Sequence, residues 1–226
     1  MARPVAVEFP LRGEWIAPNT PGKRVPSHGT DMLGQRYAYD FVRTGPGIRG
    51  KRFYRRNPLH YLVRGVPLQG CYGWGQPIYS PTDGTVVVAE DGWRERDPVH
   101  ILRDLATLLR HAYTFDVKKT TDFRPLAGNH IILETASGYA LLAHARTGSI
   151  RVSRGARVVI GEHLADVGHS GNSTAPHLHF HLMDHRDPRV ANGIPCCFRE
   201  HEVLREGGWQ VVNNGIPTHK DRIRRL

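Results

Sequence analysis

Three histidines occupy alternate positions in the segment GHSGNSTAPHLHFHLMD (residues 168–184): His177, His179 and His181. Successive side chains of a β-strand point to opposite faces, so these imidazoles would share one face while the leucines and phenylalanine between them face a core. The strict alternation, and the preceding cluster of Gly, Asn, Ser and Pro, favour a strand here. The shared face could be a polar surface, a metal site, or both.

Zinc in a catalytic site usually has three ligands from His, Cys or carboxylate side chains and one position left for water. Two histidines at i and i+2 lie roughly 6–7 Å apart at their backbones. One ion could contact both, or one histidine could bind metal while the other reaches a substrate. An HxH pair alone is a weak metal signal, and ordinary hydrogen-bonded histidines are the commoner case. The helical HExxH motif is absent, because Arg205 stands where its second histidine would be.

The segments around these histidines predict a mainly antiparallel β protein. Turn-forming residues PTDG (81–84) precede a β-branched run, and residues 136–138 are short enough to connect a hairpin. Several short strand patterns separated by turn signals are typical of such a fold. They lie at residues 36–43, 77–92, 129–135, 139–145 and 156–160, besides the histidine strand.

One helix is predicted between the strand patterns, with Asp97 as its N-cap and Pro98 at its first position. Its apolar residues repeat with helical spacing and define one face that we expect to be buried: Ile101, Leu102, Leu105, Leu108, Leu109 and Ala112. Residues 93–127 therefore resemble a helical insertion into a sheet protein, and residues 44–75 are predicted to be loops.

Composition limits the class of protein. The chain has 226 residues, 39% hydrophobic residues, 24 Gly and 16 Pro, which indicates a loop-rich globular protein. The net charge of +10 favours an anionic partner such as nucleic acid, an anionic membrane or a cell-wall polymer, without naming one. The basic segments 49–56 and 219–226 are interpreted as solvated loop and tail. No apolar run is long enough to cross a bilayer, and the N-terminal residues lack the apolar core of a signal peptide.

The three cysteines, Cys71, Cys196 and Cys197, form neither a disulfide framework nor a CxxC zinc motif. Buried free thiols are expected, with one bridge from Cys71 to either of the others as the alternative.

The order of these segments resembles the lysostaphin/LytM-type zinc endopeptidases of bacterial cell walls, which form peptidase family 23 of the metallopeptidases. The matching stretches are YAYDFV (37–42), PIYSPTDGTVVVA (77–89), residues 128–145 and residues 151–184. The resemblance covers most of residues 28–185 apart from the helical insertion, and SGNSTAPHLHFHL is its most specific part. It implies the family's compact antiparallel, sandwich-like β core and one zinc ion per chain.

Position by position, the resemblance implies that zinc is bound by His28, Asp40 and His179. Asp40 in YAYDF matches the aspartate ligand, and His179 matches the second histidine of the HxH pair. The family's first histidine commonly lies four residues before the aspartate, where this chain has Arg36. His28 is the nearest upstream histidine, and a longer loop must bring it back. Asp31 is the rival acidic ligand.

The resemblance also implies two active-site histidines that are not ligands: His144, in LLAHA, and His177, the first of the HxH pair. Imidazoles beside a metal are suited to proton transfer and to stabilising an oxyanion. His181 is expected to support a ligand or lie at the surface. His169 is expected to cap backbone groups in the turn before the strand, and His130 to be structural.

The predicted function is that of a zinc metalloendopeptidase acting on peptidoglycan cross-links or stem peptides, with a zinc-bound water as nucleophile assisted by the two histidines. Such a substrate favours a location in the cell envelope. A non-catalytic zinc-binding regulator of cell-wall hydrolases is the alternative; degenerate members usually lack ligand or active-site histidines, which are present here. A basic nucleic-acid-binding protein is disfavoured because no recognisable motif for one is present.

We predict one metallopeptidase-like domain over residues 1–226. Its core would span about 28–185, interrupted by the insertion at about 93–127 and followed by a C-terminal extension at 186–226. Residues 1–36 are predicted to be an irregular leading segment.

Overall fold

The computed structural model describes residues 3–45, 52–114, 116, 119 and 122–225, without the side chains of residues 112 and 114. Residues 49–51 of the predicted basic loop and the side chain of Ala112 lie outside this description. Fourteen strands occur within the described residues: β1 (Val5–Val7), β2 (Gly13–Asn19), β3 (Tyr39–Val42), β4 (Pro77–Tyr79), β5 (Gly84–Glu90), β6 (Asn129–Thr135), β7 (Gly138–Ala145), β8 (Arg157–Val158), β9 (His163–Asp166), β10 (His177–Met183), β11 (Gly193–Ile194), β12 (Cys196–Arg205), β13 (Gly208–Gly215) and β14 (Arg222–Arg225).

Twelve of these strands form one sheet in the order β1-β12-β14-β2-β3-β10-β7-β6-β5-β8, with β11 also paired to β10 and β13 to β12. β4 and β9 form a separate antiparallel pair. The predicted mainly β fold is confirmed, and its pairs are antiparallel apart from the parallel pair of β1 and β12. The histidine strand β10 lies in the middle of the sheet, between β3 and β7.

The prediction of an irregular leading segment over residues 1–36 is wrong, because this segment contains β1 and β2. β14, from the predicted C-terminal extension, pairs with β2, and β2 in turn pairs with β3. The Pro- and Gly-rich composition masked these strands, although Phe9 and Trp15 are among the largest fully buried side chains. Strands from the N-terminal and C-terminal parts of the described chain, β2 and β14, therefore extend the sheet next to β3, the strand that carries Asp40.

The hydrophobic core lies against one face of β3 and β10. Tyr39, Phe41, Phe180 and Phe198 pack there with Phe9, with the Phe9 and Phe41 ring centroids 5.0 Å apart. Burial of such aromatic side chains dominates the packing energy of a core. Because strand residues alternate, the residues between these aromatics point to the opposite face, where the histidines of β10 are found.

Three α-helices lie in the described residues: α1 (Pro58–Arg64), α2 (Ile101–Thr114) and α3 (Arg124–Ala127). α2 and α3 form the helical insertion between β5 and β6. α1 contradicts the prediction of loops over residues 44–75; its N-cap is Asn57, whose side chain accepts a hydrogen bond from His60 N at 2.7 Å. Two short 3-10 segments cover Met32–Tyr37 and Leu68–Gly70.

The predicted start of the insertion helix is wrong. α2 begins at Ile101, and Asp97 instead accepts a hydrogen bond from Leu68 N at 3.1 Å. Just before the helix, the backbone N–H of His100 donates a hydrogen bond to the Asp104 carboxylate at 2.8 Å. An acidic side chain from inside the first turn thus satisfies a donor that the predicted N-cap does not reach.

The three cysteines are free and buried, so the alternative of a bridge from Cys71 is wrong. Burial raises the pKa of the Cys71 thiol to about 12, which keeps it in the unreactive protonated form. Among the described residues, no helix combines the length and the hydropathy that crossing a bilayer demands.

Candidate metal centre

The register of β3 and β10 places Asp40 directly opposite His179. Directly opposed residues of an antiparallel pair point to the same face, so the two side chains meet. Asp40 Oδ1 lies 2.9 Å from His179 Nδ1, and both residues are buried. The strand pairing alone therefore brings together one carboxylate and one imidazole that are 139 residues apart in the sequence.

His28 reaches the same carboxylate from the loop between β2 and β3. Its Nε2 lies 2.9 Å from Asp40 Oδ2, and its Nδ1 lies 3.0 Å from the hydroxyl of Ser27. The loop folds back because Ser27 N donates to the carbonyl of Arg36 at 2.9 Å. The longer loop that the sequence requires is closed by this hydrogen bond.

These three side chains form a group that could hold a metal ion. His28, Asp40 and His179 offer one ligand atom each, and the three atoms lie within 4.8 Å of one another. Two imidazoles and one carboxylate are a typical ligand set for catalytic zinc, so the residues fit this ion. Asp31, the rival ligand, is outside the group: its carboxylate pairs with Arg36 at 2.6 Å on the surface.

The Asp40 carboxylate is kept ionised by its neighbours. Burial by itself would raise its pKa, but the charges of His28 and His177 hold that pKa well below the ordinary value. Hydrogen bonds from His177 and His179 act in the same direction. Asn19, on β2, donates to the second carboxylate oxygen at 2.7 Å. A buried carboxylate held as an anion is the form that binds a metal ion.

His144 is aimed at this group by an unusual backbone conformation. It follows Ala143, which is opposite His179, and regular alternation would turn it to the other face. Its φ of 65° and a register shift between β6 and β7 redirect it, so that its ring centroid lies 4.6 Å from that of His177. Its Nδ1 lies 2.9 Å from the carbonyl of Ser170, an acceptor, so that nitrogen carries the proton.

His177 is fixed in a similar way. Its Nδ1 lies 2.7 Å from the carbonyl of Ala175, and its Nε2 lies 3.5 Å from Asp40 Oδ1. Burial by itself would lower the pKa of both His144 and His177. For His144 the charges of His177 and His179 lower the pKa further, whereas for His177 the Asp40 carboxylate outweighs burial and raises it. The two rings therefore differ in basicity although they are adjacent.

A chain of buried side chains connects His177 to the helical insertion. The Ser173 hydroxyl lies 3.1 Å from His177 Nδ1 and 3.0 Å from His169 Nδ1, and it donates to the carbonyl of Ala175 at 2.6 Å. His169 Nε2 in turn lies 3.3 Å from Asp104 Oδ2 on α2. The side chain of His169 thus contacts other side chains, in place of the predicted capping of backbone groups.

Arg96 anchors the other end of this chain. Its Nε donates to Asp104 Oδ1 at 2.8 Å, and its terminal nitrogens donate to the carbonyls of Gly171 and Ser173 at 2.6 and 2.5 Å. Neither Arg96 nor Asp104 is among the site residues predicted from the sequence. The one feature of the sequence that could have indicated Asp104 is that it is a lone carboxylate in the apolar first turn of α2. No local sequence pattern connects that carboxylate to His169.

The remaining histidines have supporting contacts. His181 is buried, and its Nδ1 lies 3.1 Å from Nε2 of the proposed ligand His179, so the alternative of a surface position is wrong. His130 Nδ1 bonds to the carbonyl of Gly128 at 2.8 Å, beside Phe123. His130 is buried and makes a local backbone contact, as expected for a structural residue.

His28, Asp40 and His179 line one cleft of about 250 Å³ together with His144 and His177. The insertion contributes apolar side chains to this cleft, namely Leu108, Phe123, Leu126 and Ala127. Asn172 and Thr174, from the loop before β10, add polar groups. The cleft therefore combines the imidazoles with apolar side chains, several of which come from the insertion.

Comparison with known proteins identifies the class. The model of peptidase family M23 matches residues 63–191, more than half of the chain. The protein therefore belongs to peptidase family M23, which confirms the family predicted from the histidine segment.

Solved structures similar to this chain have low identity to it. A zinc-containing peptidase from Vibrio cholerae is 19% identical, with a TM-score of 0.40 over 83% of this chain and 39% of its own. The catalytic domain of the antimicrobial peptidase lysostaphin from Staphylococcus simulans is 18% identical, with a TM-score of 0.40 over 80% of this chain and 88% of its own. Csd3 from Helicobacter pylori is 16% identical, with a TM-score of 0.40 over 82% of this chain and 32% of its own. The chain thus spans well under half of the first and third of these proteins.

Proposed function

We propose that this protein is a zinc-dependent endopeptidase that hydrolyses peptide bonds in peptidoglycan cross-links or stem peptides. The observation that supports this most directly is the convergence of His28, Asp40 and His179 within 4.8 Å beside the two histidines His144 and His177. Family membership supports peptidase chemistry. The substrate class rests on the resemblance to wall-lytic enzymes and on the basic net charge of +10, which suits an anionic cell envelope.

His28, Asp40 and His179 would hold the zinc dication. The two imidazoles are neutral and the carboxylate carries one negative charge, so the centre would keep a net positive charge. Zinc bound there would supply Lewis-acid polarisation of the scissile carbonyl and activation of a water molecule. The Asn19 amide steadies the Asp40 carboxylate. These residues therefore orient the donor atoms before an ion arrives.

His144 and His177 would handle protons and developing charge. The Nδ1 proton of each is directed to a backbone carbonyl. The Nε2 of His144 is then left to accept a proton in the cleft, whereas the Nε2 of His177 faces the Asp40 carboxylate, which favours the protonated ring. An unprotonated imidazole accepts a proton, and a protonated one donates it to a leaving amine or stabilises an oxyanion. The apolar side chains of Leu108 and Phe123, which line the cleft, would exclude water from the bound peptide.

The experiment that tests this proposal measures wall hydrolysis and zinc content together. Purified peptidoglycan is incubated with wild type, His144→Ala and the control His185→Ala, which alters an exposed histidine outside the cleft. Wild type and the control should release muropeptides with new amino termini, while His144→Ala should lose at least about 100-fold in rate and keep its zinc. Zinc-loaded wild type that binds walls but releases no peptide would instead identify the non-catalytic regulator.

A further inference from the structure

The apolar face of α2 points away from the body of the protein, opposite to the expectation from sequence. Leu102 is 63% exposed and Leu105 is 48% exposed, and Ile101 and Leu109 are exposed as well. The side turned inward carries Asp104, whose side chain is 1% exposed. An amphipathic helix normally buries its apolar face. This one presents that face to the outside.

Helix α1 adds to the exposed apolar surface. It lies beside α2, and Leu59, Leu62 and Val63 project from it with at least half of their surface exposed. We use the term helical face for the eight exposed large apolar residues of the two helices: Leu59, Leu62, Val63, Ile101, Leu102, Leu105, Leu109 and Tyr113. Exposed apolar clusters of this kind mark surfaces that bind a partner.

The exposed charges within the two helices and just before α1 are cationic, whereas the exposed carboxylates of Asp97 and Asp116 flank α2. Arg55, Arg56, Arg64, Arg103 and Arg110 are exposed on these helices or just before α1. Within residues 52–64 and 101–114, the carboxylate is that of Asp104, which is buried and pairs with Arg96 at 2.8 Å and with Arg103 at 3.6 Å. The helical face is therefore apolar and cationic, with no exposed carboxylate in these two ranges.

We propose that the helical face binds the surface of an anionic lipid bilayer. A helix with leucines on one side and arginines on the other lies in the interface of such a membrane, with the leucines in the acyl boundary and the arginines at the headgroups. A second copy of the chain would place arginines against arginines, which costs free energy. An anionic polymer would pair with the arginines but leave the leucines in water.

The proposed docking also fixes where the cleft would lie. Leu108, on the inward side of α2, lines the cleft that contains His144 and His177. A helix docked by its outer side would therefore hold the cleft beside the membrane plane. This inference rests on α1 and α2 and does not depend on the proposed peptidase activity.

The test is sedimentation of the full chain with vesicles. One set of vesicles is phosphatidylcholine alone, and the other contains phosphatidylglycerol as well. We expect binding to the anionic vesicles that weakens as salt screens the arginines, and little binding to phosphatidylcholine. Leu102→Ser, Leu105→Ser and Leu109→Ser combined should weaken binding at least about tenfold, because three apolar contacts are lost.

The matched control combines Val159→Ser, Val190→Ser and Val211→Ser, which alter valines that are 62%, 64% and 59% exposed elsewhere on the protein. It should bind like wild type. Should the leucine variant unfold, Arg56→Glu with Arg64→Glu provides a second version, also expected to lose binding. Three results would overturn the proposal: no sedimentation of wild type, equal binding to both vesicle types, or a dimer in solution that the leucine substitutions abolish.

Discussion

His169 Nε2 lies 3.3 Å from Asp104 Oδ2, although one residue precedes the histidine strand and the other belongs to the helical insertion. Both side chains are buried, at 0% and 1% exposure. Through Ser173, this pair contacts the ring of His177. The insertion is thus joined by side chains to a histidine proposed for catalysis.

Asp104→Asn is expected to lower kcat on a peptide substrate by roughly tenfold with little change in KM, because Asp104 contacts His169 and not the cleft. His169→Gln should have a similar effect. The two substitutions combined should cost little more than either alone, since both break one chain of contacts. The measurement is steady-state kinetics, with zinc content as control. Additive losses, or an unchanged kcat, would show that the contact between Asp104 and His169 does not position His177.

The same carboxylate predicts a pH-dependent stability. Burial would raise the pKa of Asp104, but His169 and Arg96 lower it to about 2, so the folded protein prefers the anion. A lowered pKa contributes stability above the ordinary value near 4, and that stability is lost as pH falls through about 2. Urea unfolding of wild type and Asp104→Asn should differ by about 2 kcal/mol at pH 6, with the gap narrowing below about pH 4. A gap independent of pH would contradict this assignment.

Zinc content distinguishes the proposed ligand His28 from its rival. His28→Ala should weaken zinc binding at least about 100-fold, because one of three ligands is lost. Asp31→Ala should leave it unchanged, since that carboxylate contacts Arg36 at the surface. Both variants are measured by competition with a zinc chelator. Zinc loss in Asp31→Ala with retention in His28→Ala would reverse the assignment.

A close backbone approach behind His144 predicts a large effect of one methyl group. Gly128 has a φ of 62°, and a Cβ placed there would lie 2.3 Å from Ser170 Oγ and 2.7 Å from Gly171 N. Gly128→Ala should therefore destabilise the protein by at least about 3 kcal/mol. It should also reduce activity, because the Ser170 carbonyl holds His144.

Gly148→Ala is the control for that substitution. Gly148 has a φ of 74° but no atom within 4 Å of its added Cβ. It carries the conformational penalty alone, about 1 kcal/mol. Thermal unfolding of both variants separates the two costs, and equal losses would show that the contact with Ser170 is unimportant.

The sequence predicted the parts of the site that depend on local periodicity. Strict alternation specified β10, and the pattern around Asp40 specified β3, because a strand's period directs its side chains without reference to distant residues. The position of His144 in the site depends on a positive φ, which the sequence LLAHA does not reveal. The contact of His169 with Asp104 depends on where the insertion packs, and no local pattern encodes that.

Two other features required the whole fold. The first 36 residues show little of the alternation of apolar and polar residues that indicates a strand. Their strands β1 and β2 are stabilised by pairing with β12, β14 and β3. Such pairing is not visible in a segment read alone. The apolar period of α2 was recognised correctly, but which side faces the body is decided by the buried Asp104 and its partner Arg96, and not by hydrophobicity.

The family match starts at residue 63, whereas two of the three proposed ligands, His28 and Asp40, precede it. Residues 63–191 on their own would keep His144, His177 and His179 but only one ligand. An ion at this centre would therefore fasten the early strands to the matched segment, as a crosslink does. Removing it should loosen the junction of β3 with β10 first, so amide hydrogen exchange at Asp40 and Phe41 would report metal loss before the sheet as a whole unfolds.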